Sequence, residues 1–361
     1  MPFSEIIGHR ALLSLISHAV ARESLPPSLI FAGPDGVGKR HVALAVAAAL
    51  NCQAPLQSTS ETEIADPNQT KRGSSRLEDF TIEADSCAQC NACRRIARGV
   101  HADVIMIEPS ANGNIVIDQV RGAVDSATYR PFEGHRRVVI IDEADLLLVE
   151  AQNALLKTLE EPPPASVFFL VSSRPDMLIP TVRSRCQRLR FGRLSEAEVS
   201  TLLMEVHGYT ELDAHAAAAT AGGSVGKVLK EGSADFSTAR DVARRVLQTV
   251  SESPGAKQRL TSAKELTKGS TGSRLAADRE NLALRLRALG SLLRDLQVLL
   301  TGADENILAN ADLKQGLVVL GKAFNGDRIG NAFSAVDQAL EALVERNASP
   351  KIVADWLVCQ L

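Results

Sequence analysis

Residues 136–163 read RRVVIIDEADLLLVEAQNALLKTLEEPP, and this stretch decides the fold. Four consecutive apolar residues, Val138 to Ile141, predict a short strand that is buried on both faces, as in a parallel sheet. The strand ends in Asp142 and Glu143, and open α/β sheets bind ligands beyond the carboxyl ends of their strands. A carboxylate there can approach a nucleotide's metal ion, and Glu143 can polarise an attacking water. The alternative is a buried strand that ends in a solvated acidic turn.

The composition indicates a globular protein of two or three domains. The chain has 361 residues, of which 45% are hydrophobic and 23% are charged. Its net charge of −3 argues against a strongly basic nucleic-acid binder but permits a local basic surface. No apolar run approaches the roughly 20 residues of a membrane helix, and no signal peptide is visible. Six cysteines, three of them within 87–93, favour metal binding in a reducing cytoplasm over disulfides.

A glycine-rich segment fits the phosphate-binding pattern G-x-x-x-x-G-K. It follows the short apolar run 29–32 and precedes an alanine-rich helix that extends to Leu50. This strand–loop–helix context is the one in which backbone amides and a helix N-terminus bind phosphate. The candidate phosphate-binding residues are Gly33, Gly36, Gly38 and Lys39.

Arg40 departs from the pattern at its eighth position. Phosphate loops carry Ser or Thr there, and the hydroxyl holds magnesium. A guanidinium has no lone pair for a cation and repels it. The loop is therefore expected to hold nucleotide phosphates through Lys39, with hydrolysis and a magnesium–ATP complex doubtful. The alternative is a glycine-rich turn that binds no ligand.

Three cysteines, Cys87, Cys90 and Cys93, repeat every three residues. With Cys52 as a fourth thiolate they can form a tetrahedral zinc site, and four thiolates would leave no open position for catalysis. The sequence thus predicts a structural Zn²⁺ in a module of about 52–98. An iron–sulfur cluster is the competing interpretation.

The surroundings of this module are polar. Residues 54–86 lack apolar periodicity and are expected to form a solvated insertion. A zinc-dependent nucleic-acid module is disfavoured because the cysteine segment offers Arg94, Arg95 and Arg98 but no aromatic residue for base stacking.

Two later residues are candidates for contact with a nucleotide. Ser173 ends the predicted strand 167–171, where it could sense a γ-phosphate or simply form a turn. Arg185 has the chemistry that stabilises charge on a transferring phosphoryl group, often in a neighbouring subunit. The plainer interpretation of Arg185 is a surface charge.

The C-terminal part is predicted to be helical. Ser195 and Glu198 form a capping box, and short helices follow to about residue 231. From about 235 onward apolar residues recur at helical spacing, which indicates a bundle or a subunit interface. The predicted domains are 1–192, 193–234 and 235–361. The apolar stripes comprise Leu282, Leu286, Leu289, Leu293, Leu296 and Leu300, and then Ile329, Phe333, Val336, Leu340 and Leu343.

Taken together, the sequence resembles bacterial clamp-loader subunits of the AAA+ superfamily over nearly its whole length. The most specific segments are 155–163, 183–186 and the inserted cysteine cluster, and the opening 3–9 is also similar. The resemblance implies an α/β AAA+ P-loop-type domain with a parallel sheet and an inserted four-cysteine zinc module. A small helical lid and an all-α collar would follow this domain.

The resemblance also implies partners. The collar would join a hetero-pentameric ring with the gamma/tau and delta subunits, and the ring would open the sliding clamp and place it on primed DNA. Ser184-Arg185-Cys186 would project into the ATP site of an adjacent subunit, where Arg185 acts in trans. The assembly is part of the DNA polymerase III holoenzyme, a nucleotidyltransferase complex that functions in the cytoplasm without a membrane.

Departures from the family pattern favour a ring member that does not hydrolyse ATP. Arg40 replaces the magnesium-binding residue, and Gly226 stands where hydrolysing subunits have a second sensor arginine, although Lys227 lies next to it. Asp142 and Glu143 argue the other way because they keep an ATPase-like acidic pair. The alternative is a self-sufficient ATPase, of the gamma/tau type or similar to a helicase loader.

Overall fold

A computed structural model of the chain has two compact units, Met1–Leu194 and Ser195–Leu361. Most of the predicted polar insertion, residues 58–80, lies outside the described residues. The structure describes residues 2–57, 81–231, 233–252, 255–268, 275–304, 307–324, 326–344 and 346–361.

The first unit is built on a five-stranded parallel sheet. Its strands lie in the order β4-β5-β6-β1-β7, and every neighbouring pair is parallel. The predicted central strand is β5, and it is completely buried because strands on both sides and helices on both faces exclude water. The strands of this sheet are β1 (Ser28–Ala32), β4 (Val104–Ile107), β5 (Arg137–Ile141), β6 (Ser166–Ser172) and β7 (Gln187–Arg190).

Helices cover both faces of this sheet. Successive strand residues point to opposite faces, so Phe31 and Phe169 pack on one side while Ile30 and Phe168 pack on the other. The face of Phe31 is covered by α1 (Arg10–Ala21), α2 (Lys39–Asn51) and α3 (Asn91–Ala97). The opposite face is covered by α4 (Ile117–Thr128), α5 (Val149–Glu160) and the short α6 (Pro180–Arg183).

Three strands of the first unit carry no clear sequence signal. The edge strand β7 exposes three of its four residues and buries Leu189, so its polar composition hides it. The two-residue strands β2 (Leu56–Gln57) and β3 (Ala84–Asp85) form a small antiparallel pair. Asp85 accepts hydrogen bonds from the backbone N–H groups of Phe3 (2.6 Å) and Ser4 (3.0 Å), which ties this pair to the N-terminal segment.

The second unit is helical throughout its described residues, apart from turns and short 3-10 segments. Its first helix begins with the predicted capping box: Ser195 Oγ accepts from the Glu198 N–H (3.2 Å), and Glu198 Oε2 accepts from the Ser195 N–H (2.8 Å). The helices are α7 (Glu196–His207), α8 (Glu211–Ala221), α9 (Val225–Glu231), α10 (Ser233–Glu252), α11 (Ala256–Leu266), α12 (Leu275–Thr301), α13 (Lys314–Gly321), α14 (Gly326–Val344) and α15 (Pro350–Gln360).

The predicted leucine stripe forms the core of this helical unit. Five of its leucines on α12 are buried against helices α10, α11 and α13–α15, whereas Leu300 at the end of the stripe is exposed. The stripe therefore serves mainly to pack the bundle internally. No helix among the described residues is long and apolar enough to cross a membrane. The five buried leucines are Leu282, Leu286, Leu289, Leu293 and Leu296.

Candidate nucleotide and metal sites

The glycine-rich loop lies between β1 and α2, as the pattern predicts. Gly33 passes so close to β7 that a Cβ there would lie 2.4 Å from the carbonyl oxygen of Phe191. Gly38 has a φ of +94°, which residues with a side chain rarely adopt, and helix α2 begins directly after it. Gly36, inside the loop, also has a left-handed conformation, with a φ of +72°. The loop therefore has the sharp turn and the helix N-terminus that phosphate binding requires.

Lys39 is folded back onto its own loop. Its ammonium donates hydrogen bonds to the carbonyl oxygens of Gly33 (2.8 Å) and Pro34 (2.6 Å). Burial lowers the pKa of Lys39, and the nearby carboxylates of Asp35 and Asp142 oppose that shift. Lys39 is thus a largely buried cation whose donors are held at the centre of the loop.

Arg40 points across the sheet edge to the carboxyl ends of two neighbouring strands. Its Nη1 lies 3.1 Å from Asp142 Oδ2, beyond β5, and contacts the carboxylate of Glu108, beyond β4. The guanidinium thereby places a positive charge against the carboxylate that follows β5. Glu108 was not among the predicted site residues, because a pairing over 68 residues of chain leaves no sequence signal.

The acidic pair divides between two environments. Asp142 is mostly buried and also accepts a hydrogen bond from the Glu143 N–H (3.0 Å). Glu143 is exposed and has a φ of +48°, a strained conformation for a residue with a side chain. Strain of this kind is common at functional sites.

The predicted sensor serine lies beside a third carboxylate, Asp145. The backbone N–H of Ser173 donates to Asp145 Oδ1 (3.2 Å), and the Ser172 hydroxyl donates to the same oxygen (2.9 Å). Arg174 Nε donates to Asp145 Oδ2 (3.1 Å). Burial opposes ionisation of Asp145, but these hydrogen bonds outweigh it and lower its pKa. The side chain of Ser173 itself is exposed.

Arg185 follows helix α6 and is held by two acceptors. One guanidinium nitrogen, Nη2, contacts the carboxylate of Glu160 at the end of α5, and Nη1 donates to the Thr181 carbonyl oxygen (2.9 Å). The side chain retains 32% exposure. Glu160 belongs to the LEEPP segment quoted at the outset, yet no local pattern predicts its pairing with Arg185. The two motifs that carry the resemblance therefore touch each other.

Four cysteines converge where α2 ends and α3 begins. The sulfur atoms of Cys52, Cys87, Cys90 and Cys93 all lie within 4.8 Å of one another, and all four thiols are free. A tetrahedral zinc ion with Zn–S bonds of about 2.3 Å holds its sulfurs about 3.8 Å apart, so small side-chain shifts would complete the site. The cluster can therefore bind a metal ion, and its all-thiolate donor set suits Zn²⁺ or iron.

Backbone amides point at these sulfur atoms. The N–H groups of Cys87, Cys90 and Cys93 donate to the sulfurs of Cys52 (3.3 Å), Cys87 (3.3 Å) and Cys90 (3.4 Å) respectively. Burial raises the pKa of Cys90, but the hydrogen bonds from Cys93 and Gln53 outweigh it and lower that pKa to about 6. The backbone thus favours a thiolate at the N-terminus of α3, which is the form that binds metal.

The fold and these sites define a class of protein. A parallel sheet with a glycine-rich loop after β1 and an aspartate after β5 is a P-loop-type α/β domain, and an all-helical unit follows it.

Comparison with known proteins shows partial matches to DNA polymerase III subunits. Residues 74–195 match the family described as "DNA polymerase III, delta subunit". The chain is 37% identical over 155 residues to DNA polymerase III subunit delta' of Pseudomonas aeruginosa, covering 43% of this chain and 39% of that protein. It is 30% identical over 198 residues to subunit tau of Bacillus subtilis, covering 55% of this chain and 30% of that one. These matches agree with the resemblance to bacterial clamp-loader subunits of DNA polymerase III.

The alignments are partial, since they span well under half the length of these relatives. A solved structure from Thermotoga maritima, of a protein related to the DNA polymerase III gamma subunit, is 16% identical and covers 96% of this chain and 97% of that chain. Its TM-score is 0.41, which is too low to establish a common arrangement.

Proposed function

We propose that this chain is the delta-prime subunit of the DNA polymerase III clamp loader. In this role it hydrolyses no ATP and supplies Arg185 to the ATP site of the neighbouring subunit. The proposal includes assembly with gamma/tau and delta subunits into a pentamer that loads the sliding clamp on primed DNA.

The observation that carries the proposal is the position of Arg40. Its guanidinium lies 3.1 Å from Asp142 and also contacts Glu108, which supports the proposal that a positive charge replaces magnesium at this carboxylate. Hydrolysis in P-loop proteins depends on that ion, which bridges the β- and γ-phosphates and neutralises developing charge. Lys39 and the loop amides remain suited to hold a phosphate. We therefore propose a nucleotide site that has lost hydrolysis, formed by the loop residues Gly33, Gly36, Gly38 and Lys39 together with Asp142, Glu143 and Ser173 beyond the neighbouring strands.

Arg185 is suited to act outside its own chain. Its guanidinium contacts Glu160 and donates a hydrogen bond to the Thr181 carbonyl oxygen. Part of the side chain stays exposed and can be reached by another subunit. An arginine that is already held in position loses little side-chain freedom when it contacts a phosphate. Arg185 is therefore suited to stabilise the negative charge of ATP bound to a neighbouring subunit. The role of Arg185 in trans is therefore proposed together with a positioning role for Glu160.

Two further assignments belong to the same proposal. The metal at Cys52, Cys87, Cys90 and Cys93 is proposed to be a structural zinc ion, because all four positions of a tetrahedral site are filled by sulfur. Within the helical unit, residues up to about 234 are proposed as a lid, and residues 235–361 as the collar that joins the ring.

A second candidate is a self-sufficient ATPase of the gamma/tau type. The acidic pair Asp142 and Glu143 at the end of β5 favours it, as does the similarity to subunit tau of Bacillus subtilis. This candidate requires Arg40 to leave Asp142 so that magnesium can enter.

ATP hydrolysis by the purified chain distinguishes the two candidates. The delta-prime assignment predicts no magnesium-dependent phosphate release above that of a Lys39→Ala variant, which serves as the matched background. Release that depends on magnesium and disappears in Lys39→Ala would identify a self-sufficient ATPase and refute the assignment.

A further inference from the structure

Two aromatic side chains protrude from the segment between α4 and β5. Phe132 is 83% exposed and Tyr129 is 70% exposed, which makes them the two most exposed large apolar side chains that the structure describes. Burial of such rings normally contributes to stability, so their display on the surface calls for an explanation. Neither residue belongs to the phosphate loop, the Arg185 segment or the cysteine cluster.

The segment that carries Phe132 is held firmly. The buried carboxylate of Asp103 accepts hydrogen bonds from the backbone N–H groups of Phe132 (2.7 Å), Glu133 (2.9 Å) and Gly134 (2.8 Å). Burial opposes ionisation of Asp103, but these three bonds and Arg137 lower its pKa to about 2. The carboxylate therefore stays ionised at any physiological pH and keeps its hydrogen bonds to the segment.

The Asn51 side chain holds the next two residues of the segment. Asn51 Oδ1 accepts from the N–H groups of His135 (2.8 Å) and Arg136 (2.9 Å). The approach is so close that a Cβ at Gly134 would lie 2.3 Å from that oxygen. Five consecutive backbone amides, 132–136, are thus committed to two side chains. The Phe132 ring is presented by a fixed backbone, so little backbone freedom is lost when a ligand contacts it.

Polar contacts through Glu133 link this aromatic segment to Arg95 and the residues after it. Glu133 Oε1 accepts from the Ala102 N–H (3.3 Å), and its Oε2 pairs with Arg95 (2.5 Å), whose Nη2 donates to the Val100 carbonyl (3.0 Å). These contacts join the segment to the residues that follow α3. The Glu133 carboxylate at this junction is paired with Arg95.

Three further arginines belong to these two stretches of the chain. Arg94, Arg98 and Arg130 are exposed, and no carboxylate among the described residues lies within ion-pair distance of them. We call the group formed by Tyr129, Arg130, Phe132, Arg98 and Val100 the Phe132 surface. It is apolar and positive in a chain whose net charge is −3.

We propose that the Phe132 surface binds single-stranded nucleic acid. Bases would stack on the Phe132 and Tyr129 rings, and Arg98 and Arg130 would contact the phosphates on either side. A ring that is 83% exposed offers its faces to a flat base, whereas an apolar peptide helix needs a groove to enter. The cysteine segment itself has arginines but no aromatic residue. Phe132, more than thirty residues downstream, lies on the segment that Glu133 links to Arg95.

The test is the affinity of the purified zinc-loaded chain for fluorescent single strands, dT20 and U20, measured by anisotropy. Phe132→Ala should weaken binding about tenfold because one stacking contact is lost. Arg98→Ala should weaken binding and reduce the slope of log affinity against log salt by about 0.7, the loss of one phosphate contact. Phe333→Ala, which removes an exposed ring from α14 in the helical unit, is the matched control and should bind like the unaltered chain.

The variants change exposed side chains, so circular dichroism should show an unaltered fold. Equal affinity for Phe132→Ala and the unaltered chain would overturn the proposal. Preference for a 20-base-pair duplex over both single strands would also overturn it, since a duplex offers no unstacked base. Binding of a poly-glutamate peptide without binding of either strand would identify a protein interface instead. The inference does not depend on the ATPase role of the chain, because none of its residues contributes to that site.

Discussion

Replacement of Arg40 by threonine tests whether the guanidinium stands in for a metal ion. A magnesium ion bound to Asp142 would lie about 2.1 Å from a carboxylate oxygen. Arg40 Nη1 lies 3.1 Å from Oδ2 of the same residue, so the ion and the guanidinium would be within about 5 Å of each other. At that separation their repulsion is about 2 kcal/mol in water and about 7 kcal/mol at an effective dielectric constant near 20.

The lower figure applies more closely, because half of the Arg40 side chain is exposed and solvent screens it. About 2 kcal/mol corresponds to roughly a 30-fold loss of magnesium affinity. Arg40→Thr removes the repulsion and supplies a hydroxyl ligand. We therefore expect magnesium to strengthen the binding of a fluorescent ATP analogue at least tenfold in Arg40→Thr, and to have little effect on the unaltered chain.

The assay is a titration of the analogue with magnesium and, in parallel, with EDTA. Arg40→Lys is the matched control: it keeps a positive charge without a hydroxyl and should remain insensitive to magnesium. The reasoning is refuted if magnesium strengthens binding to the unaltered chain as much as to Arg40→Thr.

Two further expectations concern the cysteine cluster and the buried aspartate. The purified chain should contain about one zinc per molecule, and removing it should abolish hydrogen-exchange protection in 84–97 while the sheet keeps its own; a metal-free chain with full protection there would contradict this. The folded pKa of Asp103 is about 2, below the ordinary value of 3.8, so the ionised carboxylate stabilises the fold above pH of about 4. This contribution is about 2 kcal/mol, and it is lost as the pH falls through about 2. The free energy of unfolding in urea should therefore fall less steeply between pH of about 4 and 2 for Asp103→Asn than for the unaltered chain. Identical pH profiles for the two chains would contradict this role of Asp103.

Local patterns predicted the central elements of the fold. The apolar run that became β5 is buried on every side, and the glycine spacing led to a loop between β1 and α2. Both signals are strong because parallel strands and phosphate loops impose their residue types locally. The edge strand β7 escaped prediction since it buries only Leu189 and otherwise looks like a polar linker.

The contacts that give the sites their character could not be predicted in the same way. Arg40 contacts Glu108, Arg185 contacts Glu160, and Glu133, next to Phe132, contacts Arg95 after the cysteine cluster. Each pair joins residues from different elements, so the partner depends on sheet order and leaves no trace in local spacing. The similarity in residues 155–163 and 183–186 marked both sides of the Arg185 contact without indicating that they touch.

The most direct test of the central claim is the ATPase rate of the reconstituted clamp loader that carries Arg185→Ala in this chain alone. We expect the altered chain to assemble and the DNA-stimulated rate to fall, because one neighbouring site loses an arginine worth roughly 10³–10⁵ in rate at that site. Arg183→Ala, which removes a nearby arginine paired with Asp176, should leave the rate unchanged. An undiminished rate in a fully assembled Arg185→Ala complex would contradict the account.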